Sequence, residues 1–179
     1  NDILDLSKFE SGKYLLENSP FDLRLSMKHI YELLIPKSCE NNNKFILTID
    51  EAIPTRIKGD RIRLNQILMN LLSNALKFTL EGGRISVTTR EVSGAINLYV
   101  EDTGIGIPKD ALAKLGRPFE WVAMDARHPT EGAGLGLAIA RSFAELHGGS
   151  LTIRSTEGSG TTVLVRFPIR AGPSLEEAA

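Results

Sequence analysis

The first residues in the chain with chemistry to offer are Asn70, Asn74 and Lys77, inside NLLSNALKFT. Spacings of four and three place them on one face of a helix. A side-chain amide can donate to a phosphate or offer its oxygen to a hard cation such as Mg²⁺. A lysine supplies the matching positive point charge. A solvated polar stripe on an amphipathic helix would show the same pattern. Helical asparagine is mildly unfavourable, though, so two at this spacing beside a long apolar face ask for a reason.

A second group is Asp102-Thr103-Gly104-Ile105-Gly106-Ile107-Pro108, directly after the apolar run Ile96 to Val100. Glycines let the backbone turn sharply and come close to a ligand. A carboxylate at the strand end can accept a hydrogen bond from an exocyclic amine, such as that of adenine. A plain turn also explains a lone GxG. In the third group, Gly132-Ala133-Gly134-Leu135-Gly136-Leu137-Ala138, three glycines run straight into a helix. Unpaired N–H groups at a helix N-terminus, at the positive end of its dipole, make a phosphate site. The GxGxG spacing does not match a dinucleotide fingerprint, and the missing GK[ST] ending excludes a Walker loop.

Other residues offer less. Gly158-Ser159-Gly160-Thr161 reads as a hairpin turn, with a threonine hydroxyl near a phosphate path as the alternative. Lys114, Arg117, Arg127 and His128 are candidate phosphate contacts or ordinary loop charges, and Phe119 and Trp121 are candidate anchors for that loop. Cys39 has no readable nucleophile context, and His29, His128 and His147 show no metal spacing. His147 before Gly148-Gly149 suits the negative end of a helix. Asp50 with Glu51, and Glu101 with Asp102, are strand neighbours pointing to opposite faces, so neither pair is an acid/base dyad.

The elements that must hold these groups follow from periodicity. Ile62, Leu64, Ile67, Leu68, Leu71, Leu72 and Ala75 predict the strongest helix, preceded by Gly59 and Asp60. Asp22 caps an earlier helix through Leu23, Met27, Ile30, Tyr31 and Leu34, which Pro36 should kink or end. Leu135 to Leu146 predicts a third long helix, and Lys109 to Leu115 a short one. Strands are predicted at Phe45 to Ile49, Arg84 to Glu91, Ala95 to Glu101, Leu151 to Thr156 and Thr161 to Pro168. Tyr14 to Phe21 reads as a short strand or link, and Gly116 to Ala133 as a long loop suited to a lid. The order predicts an α/β two-layer sandwich of a mixed sheet and helices, with two hairpins whose connections are too short for parallel crossovers.

Composition sets the bounds. The chain has 179 residues, 42% of them hydrophobic, and a formal net charge of −1. That suits one domain with a real core and gives no reason to expect nucleic-acid or membrane binding. One cysteine excludes an intramolecular disulfide framework and fits a reducing compartment. No apolar run reaches the 18 or so residues of a membrane span. Asn1 is not an initiator methionine, so the reading expects a start inside a longer protein.

Taken together and in order, NLLSNALKFT, EDTGIGIP, PFEW, GAGLGLAIA and GSGTT resemble the catalytic and ATP-binding domain of sensor histidine kinases of two-component signal transduction. That superfamily includes type II topoisomerases, mismatch-repair ATPases and a heat-shock chaperone. The resemblance runs from about Phe21 to Ile169 and implies the histidine kinase/topoisomerase-type ATP-binding fold. It gives Asn70 and Asn74 the asparagine-box positions, with Asn74 the foremost Mg²⁺ ligand. It puts Lys77 on phosphate, Phe78 beside the nucleotide, and Asp102 on the adenine amine. Gly104, Gly106 and Ile107 shape the pocket, Phe119 belongs to the lid, and Gly132, Gly134, Leu135, Gly136 and Leu137 wrap the phosphates. Thr161 falls near the adenine end.

The resemblance also implies a reaction. The ATP-hydrolysing branches carry a glutamate where this chain has Asn70, so the γ-phosphoryl is kept for a histidine on a separate dimerisation helix. Catalysis then rests on Asn70 and Lys77 through positioning and charge neutralisation. NDILDLSKFESGK resembles the closing turns of that helix. The expected division is residues 1–12 as the helix end, 13–20 as linker, 21–170 as the catalytic domain and 171–179 as a tail. The expected partners are the phosphoacceptor/dimerisation domain and a response regulator, and the isolated chain should be monomeric. A cytoplasmic location follows, within a parent that can be membrane-anchored. The rival reading is a degenerate nucleotide-sensing or protein-interaction scaffold.

Overall fold

The computed structural model describes residues 15–112, 115 and 135–169. Along the chain run β1 (Ser19–Asp22), α1 (Leu23–Glu40), β2 (Lys44–Ile49), β3 (Arg56–Gly59), α2 (Arg61–Phe78), β4 (Arg84–Val92), β5 (Ala95–Asp102), α3 (Lys109–Leu112), α4 (Gly136–Leu146), β6 (Ser150–Thr156) and β7 (Gly160–Pro168). The predicted helix end before Gly12, Lys114, the loop from Gly116 through Gly134 and the tail from Arg170 lie outside the described residues.

The apolar stripe predicted for α2 is its buried face from Leu64 on, with Ile67, Leu68, Leu71, Leu72 and Ala75, and Leu76 joins it; Ile62, counted in that stripe, is 62% exposed in the first turn. Asp60 caps the helix, accepting from the Arg63 N–H at 3.1 Å. Such a cap satisfies one of the amides that a helix start leaves unpaired. Asp22 caps α1 in the same way through the Leu25 N–H.

The main sheet has five strands in the order β2-β4-β5-β7-β6. β2 and β4 are parallel and the other neighbours antiparallel, so the sheet is mixed as expected. The β4–β5 hairpin turns at Ser93 and Gly94, both with positive φ, as a tight two-residue turn demands. Alternate strand residues, among them Ile85, Val87, Ile96, Leu98, Val100, Val165 and Phe167, meet α2 and α4 in one core. Deep in it, Phe143 and Ile139 of α4 are fully buried.

Two expectations need correction. Pro36 does not end α1, which continues to Glu40. Pro36 and Glu32 are both on the exposed side, so the carbonyl that proline leaves without a helical partner faces solvent. The strand β3 was not anticipated; the stretch Tyr14 to Phe21, read as a short strand or link, holds the start of β1 at Ser19. These two four-residue strands form their own antiparallel ribbon, Ser19 opposite Gly59 and Asp22 opposite Arg56. Arg24 fastens the segment before β3: its Nη2 donates to the carbonyls of Asp50, Glu51 and Ile53 at 2.8–3.0 Å.

Candidate functional site

The ends of α2, β5, β7 and α4 meet beside the polar face of α2. Asn70 is half-buried there, and its Nδ2 donates to the Gly136 carbonyl at 3.0 Å. That bond fixes the amide, because the nitrogen must face the carbonyl. Oδ1 is the part of Asn70 left to act as an acceptor. Asn74 is exposed one turn later, and Lys77 is half-buried with Nζ 5.5 Å from the centre of the Phe78 ring.

The last residue of α2 holds the turn after β5. The Phe78 carbonyl accepts from the Ile105 N–H at 3.1 Å, and the Ile105 carbonyl accepts from the Gly158 N–H at 2.7 Å. Ile107 donates to Ser155 Oγ at 2.9 Å. Two glycines are required by this closeness. Gly106 has φ +68°, and a Cβ there would run into the Thr156 carbonyl. Gly160 has φ +107°, and a Cβ there would run into the Asp102 carbonyl. Neither position admits an L side chain without the backbone moving.

Asp102 closes β5 at the floor of this turn. Its Oδ1 accepts from the Gly104 N–H at 2.9 Å. Burial raises the Asp102 carboxyl above the usual aspartate range, and the backbone N–H groups of Gly104 and Thr161 partly offset it. Thr161 is the register partner of Asp102, and Ser155 is the register partner of Thr161. Paired residues share a sheet face, so the three polar side chains form a row across β5, β7 and β6. They continue the lines of core residues Ile96, Leu98, Val100, Val165 and Leu151.

Across the site, Leu135 is the N-cap of α4; it is 1% exposed and gives the helix no side-chain cap. Among the described residues no side chain caps the opening amides, which suits an anion-binding helix start. Gly136 packs against Asn70 and Leu137 is half-buried. The far ends of α2 and α4 are also joined. The Asp60 N–H donates to His147 Nε2 at 3.3 Å, and His147 Nδ1 lies 2.7 Å from the Phe143 carbonyl. A carbonyl can only accept, so the imidazole carries its proton on Nδ1. His147 sits at the helix end as expected, but it acts there through hydrogen bonds to Asp60 and Phe143.

The structure thus brings together Asn70, Lys77, Phe78, Asp102, Gly104, Gly106, Ile107, Leu135, Gly136, Leu137 and Thr161 around α2. Asn74 is on the same helix face, further into solvent. Phe119, Gly132 and Gly134 lie outside the described residues. Sequence reasoning missed Ser155. Its signal was a hydroxyl at the third inward position of β6, where Leu151 and Ile153 set an apolar alternation.

Comparison with known proteins places this geometry. The family model described as histidine kinase-, DNA gyrase B- and HSP90-like ATPase matches residues 59–171. The histidine protein kinase DivJ of Caulobacter vibrioides is 40% identical over 173 residues, which are 97% of this chain and 29% of DivJ. Full-length ShkA in complex with AMPPNP superposes with a TM-score of 0.83 at 30% identity, over 97% of this chain and 36% of ShkA. The catalytic domain of the histidine kinase ThkA, nucleotide-free, superposes with a TM-score of 0.73 at 30% identity, over 85% of this chain and 95% of that domain. ThkA is also known in complex with the response regulator protein TrrA. The chain spans 20–33% of the length of the first curated relatives.

Proposed function

Because the chain belongs to the histidine kinase-, DNA gyrase B- and HSP90-like ATPase family, as the ATP-binding catalytic domain of a sensor histidine kinase, we propose that it holds ATP·Mg²⁺ between Asp102 and the start of α4. It then donates the γ-phosphoryl to a histidine on a separate dimerisation helix. The observation that carries this reading is the Asp102 turn. A partly buried carboxylate, fixed by the Gly104 N–H, stands at the turn held by the last residue of α2, whose polar face meets the start of α4 at Gly136.

In this reading Asp102 accepts from the adenine amine, Thr161 stands beside it, and Gly104, Gly106 and Ile107 form the wall. Phe78 packs on the nucleotide, and Lys77 adds positive charge along the phosphates. Gly136, Leu135 and Leu137 bring backbone amides to the phosphates. The family resemblance assigns Phe119, Gly132 and Gly134, outside the described residues, to the same nucleotide.

The donor set fits Mg²⁺. Among the described residues no cluster of three or more His, Cys, Asp or Glu side chains exists, so no all-protein cage is built. The amide oxygens of Asn70 and Asn74 are the hard ligands at hand, and a cation that keeps several waters and takes phosphate oxygens needs few protein ligands. Bound there, Mg²⁺ would neutralise phosphate charge. Asn70 cannot act as a carboxylate base toward water, so the site favours keeping the γ-phosphoryl for transfer. The acceptor histidine and a response regulator are the proposed partners. The proposed location is cytoplasmic, with residues 1–12 leading from the dimerisation helix of the parent.

Isolated, the chain should bind ATP in a Mg²⁺-dependent manner, remain monomeric in light scattering and take up no label from γ-labelled ATP. Acid-labile label on the chain would contradict the separate-acceptor reading. Failure to bind millimolar ATP would favour an interaction scaffold.

A further inference from the structure

Ser155 makes three hydrogen bonds whose directions follow from elementary valence. Its Oγ lies 2.9 Å from the Ile107 nitrogen, 2.8 Å from the Gly160 carbonyl oxygen and 2.9 Å from Thr161 Oγ1. An amide N–H only donates and a carbonyl only accepts. The single Ser155 proton therefore goes to Gly160, and the bond between the hydroxyls must carry the Thr161 proton toward Ser155. Thr161 is left with lone pairs alone for any other partner. Its register neighbour on the same sheet face is Asp102, which as a carboxylate is also only an acceptor.

We infer that Ser155 is a specificity-determining residue, which commits the Thr161 proton so that this end of the proposed site offers acceptors and selects a 6-aminopurine over a 6-oxopurine. The inference rests on the nucleotide reading above. An exocyclic amine donates to both Asp102 and Thr161. An oxo group in its place brings a third acceptor against two, and the N1–H that comes with it on the neighbouring ring edge can serve at most one of them. A site whose polar groups are directed this way rejects the analogue that leaves them unpaired. Ser155 touches no ligand in this account and acts by orienting Thr161 and by holding the Ile107 backbone.

The test compares ATP and ITP, whose bases differ at the 6-substituent and in the proton on the adjacent N1, by calorimetric titration with Mg²⁺. The wild-type chain should prefer ATP. Ser155→Ala frees the Thr161 hydroxyl to rotate and donate, so the ratio of ITP to ATP dissociation constants should fall about tenfold. Ser155→Thr, which keeps the hydroxyl, should hold the ratio near the wild-type value. Thr161→Val leaves the Ser155 bonds to Ile107 and Gly160 in place and should also lower the ratio, which decides the matter if Ser155→Ala fails to fold. A purely structural role would weaken both nucleotides in proportion, and an unmoved ratio in both variants overturns the inference while leaving the ATP reading intact. Absence of binding of either nucleotide to the wild-type chain overturns both.

Discussion

The two ends of the proposed nucleotide site are built by different means. At the Asp102 end the backbone itself is the wall. Phe78, Ile105 and Gly158 are linked carbonyl to amide, Ile107 is tied to Ser155, and Gly106 and Gly160 pass within contact of neighbouring carbonyls. At the other end a helix face and a helix start do the holding. Asn74 is exposed, Asn70 is fixed by one bond to Gly136, and α4 opens without a side-chain cap. A planar base presents a fixed edge that a rigid wall can read. A phosphate chain presents charge, which amides and a lysine can meet from a range of positions. The rigid end should therefore govern which nucleotide binds, and the open end how strongly its phosphates and cation are held.

Substitutions can break that contrast. The largest effect should come from Gly106→Ala, since the positive φ and the Thr156 carbonyl both oppose a side chain. Urea unfolding should show a loss of about 3 kcal/mol or more. Gly158→Ala has nearly the same strain, φ +77°, but open space around it, and should lose only about 1 kcal/mol. Equal losses at the two positions would show that packing at the rigid end is not the constraint. Next in size, Asp102→Asn puts an amide donor against the adenine amine, and ATP affinity should drop about 100-fold. Removing one bond at the open end is milder. Asn70→Ala should lose about 1 kcal/mol of stability with its Gly136 bond, and its ATP affinity should depend less on Mg²⁺ than the wild type's.

The pH dependence sharpens the same contrast. Burial raises the Asp102 carboxyl in the folded chain, so the folded state holds that proton more tightly than the unfolded state does. Its unfavourable effect on stability is absent below the unfolded pKa and complete above the raised folded one. The contribution of Asp102 to stability therefore declines as pH rises through that interval. Asp102→Asn should remove this component from a stability–pH profile. Adenine binding needs the ionised form, so ATP affinity should rise over the same interval, above the usual aspartate range. A wild-type affinity flat across that range would count against Asp102 as the base contact.

What was legible in the sequence follows this division. Long periodic elements were readable, because α2 repeats its apolar stripe from Leu64 to Leu76 and its polar face holds Asn70, Asn74 and Lys77 together by spacing alone. The hairpins were readable because their connections are short. The strand β3 and its pairing with β1 were not, since four residues give alternation too few repeats to stand out and the pairing joins segments far apart in the chain. Pro36 misled because a proline on a solvent-facing side leaves a carbonyl that needs no protein partner. Ser155 stayed hidden because its role lies in the direction of three bonds to residues 48, 5 and 6 positions away. Gly160 seemed only part of a hairpin turn, and its closeness to the Asp102 carbonyl arises from strand register.

The central claim is tested most directly by calorimetric titration of the chain with ATP, with and without Mg²⁺, beside Asp102→Asn. The account predicts Mg²⁺-dependent binding with one site per chain, lost or weakened about 100-fold in the variant while its unfolding remains cooperative. Equal affinity of the wild type and Asp102→Asn, or no binding by a folded wild-type chain, would contradict it.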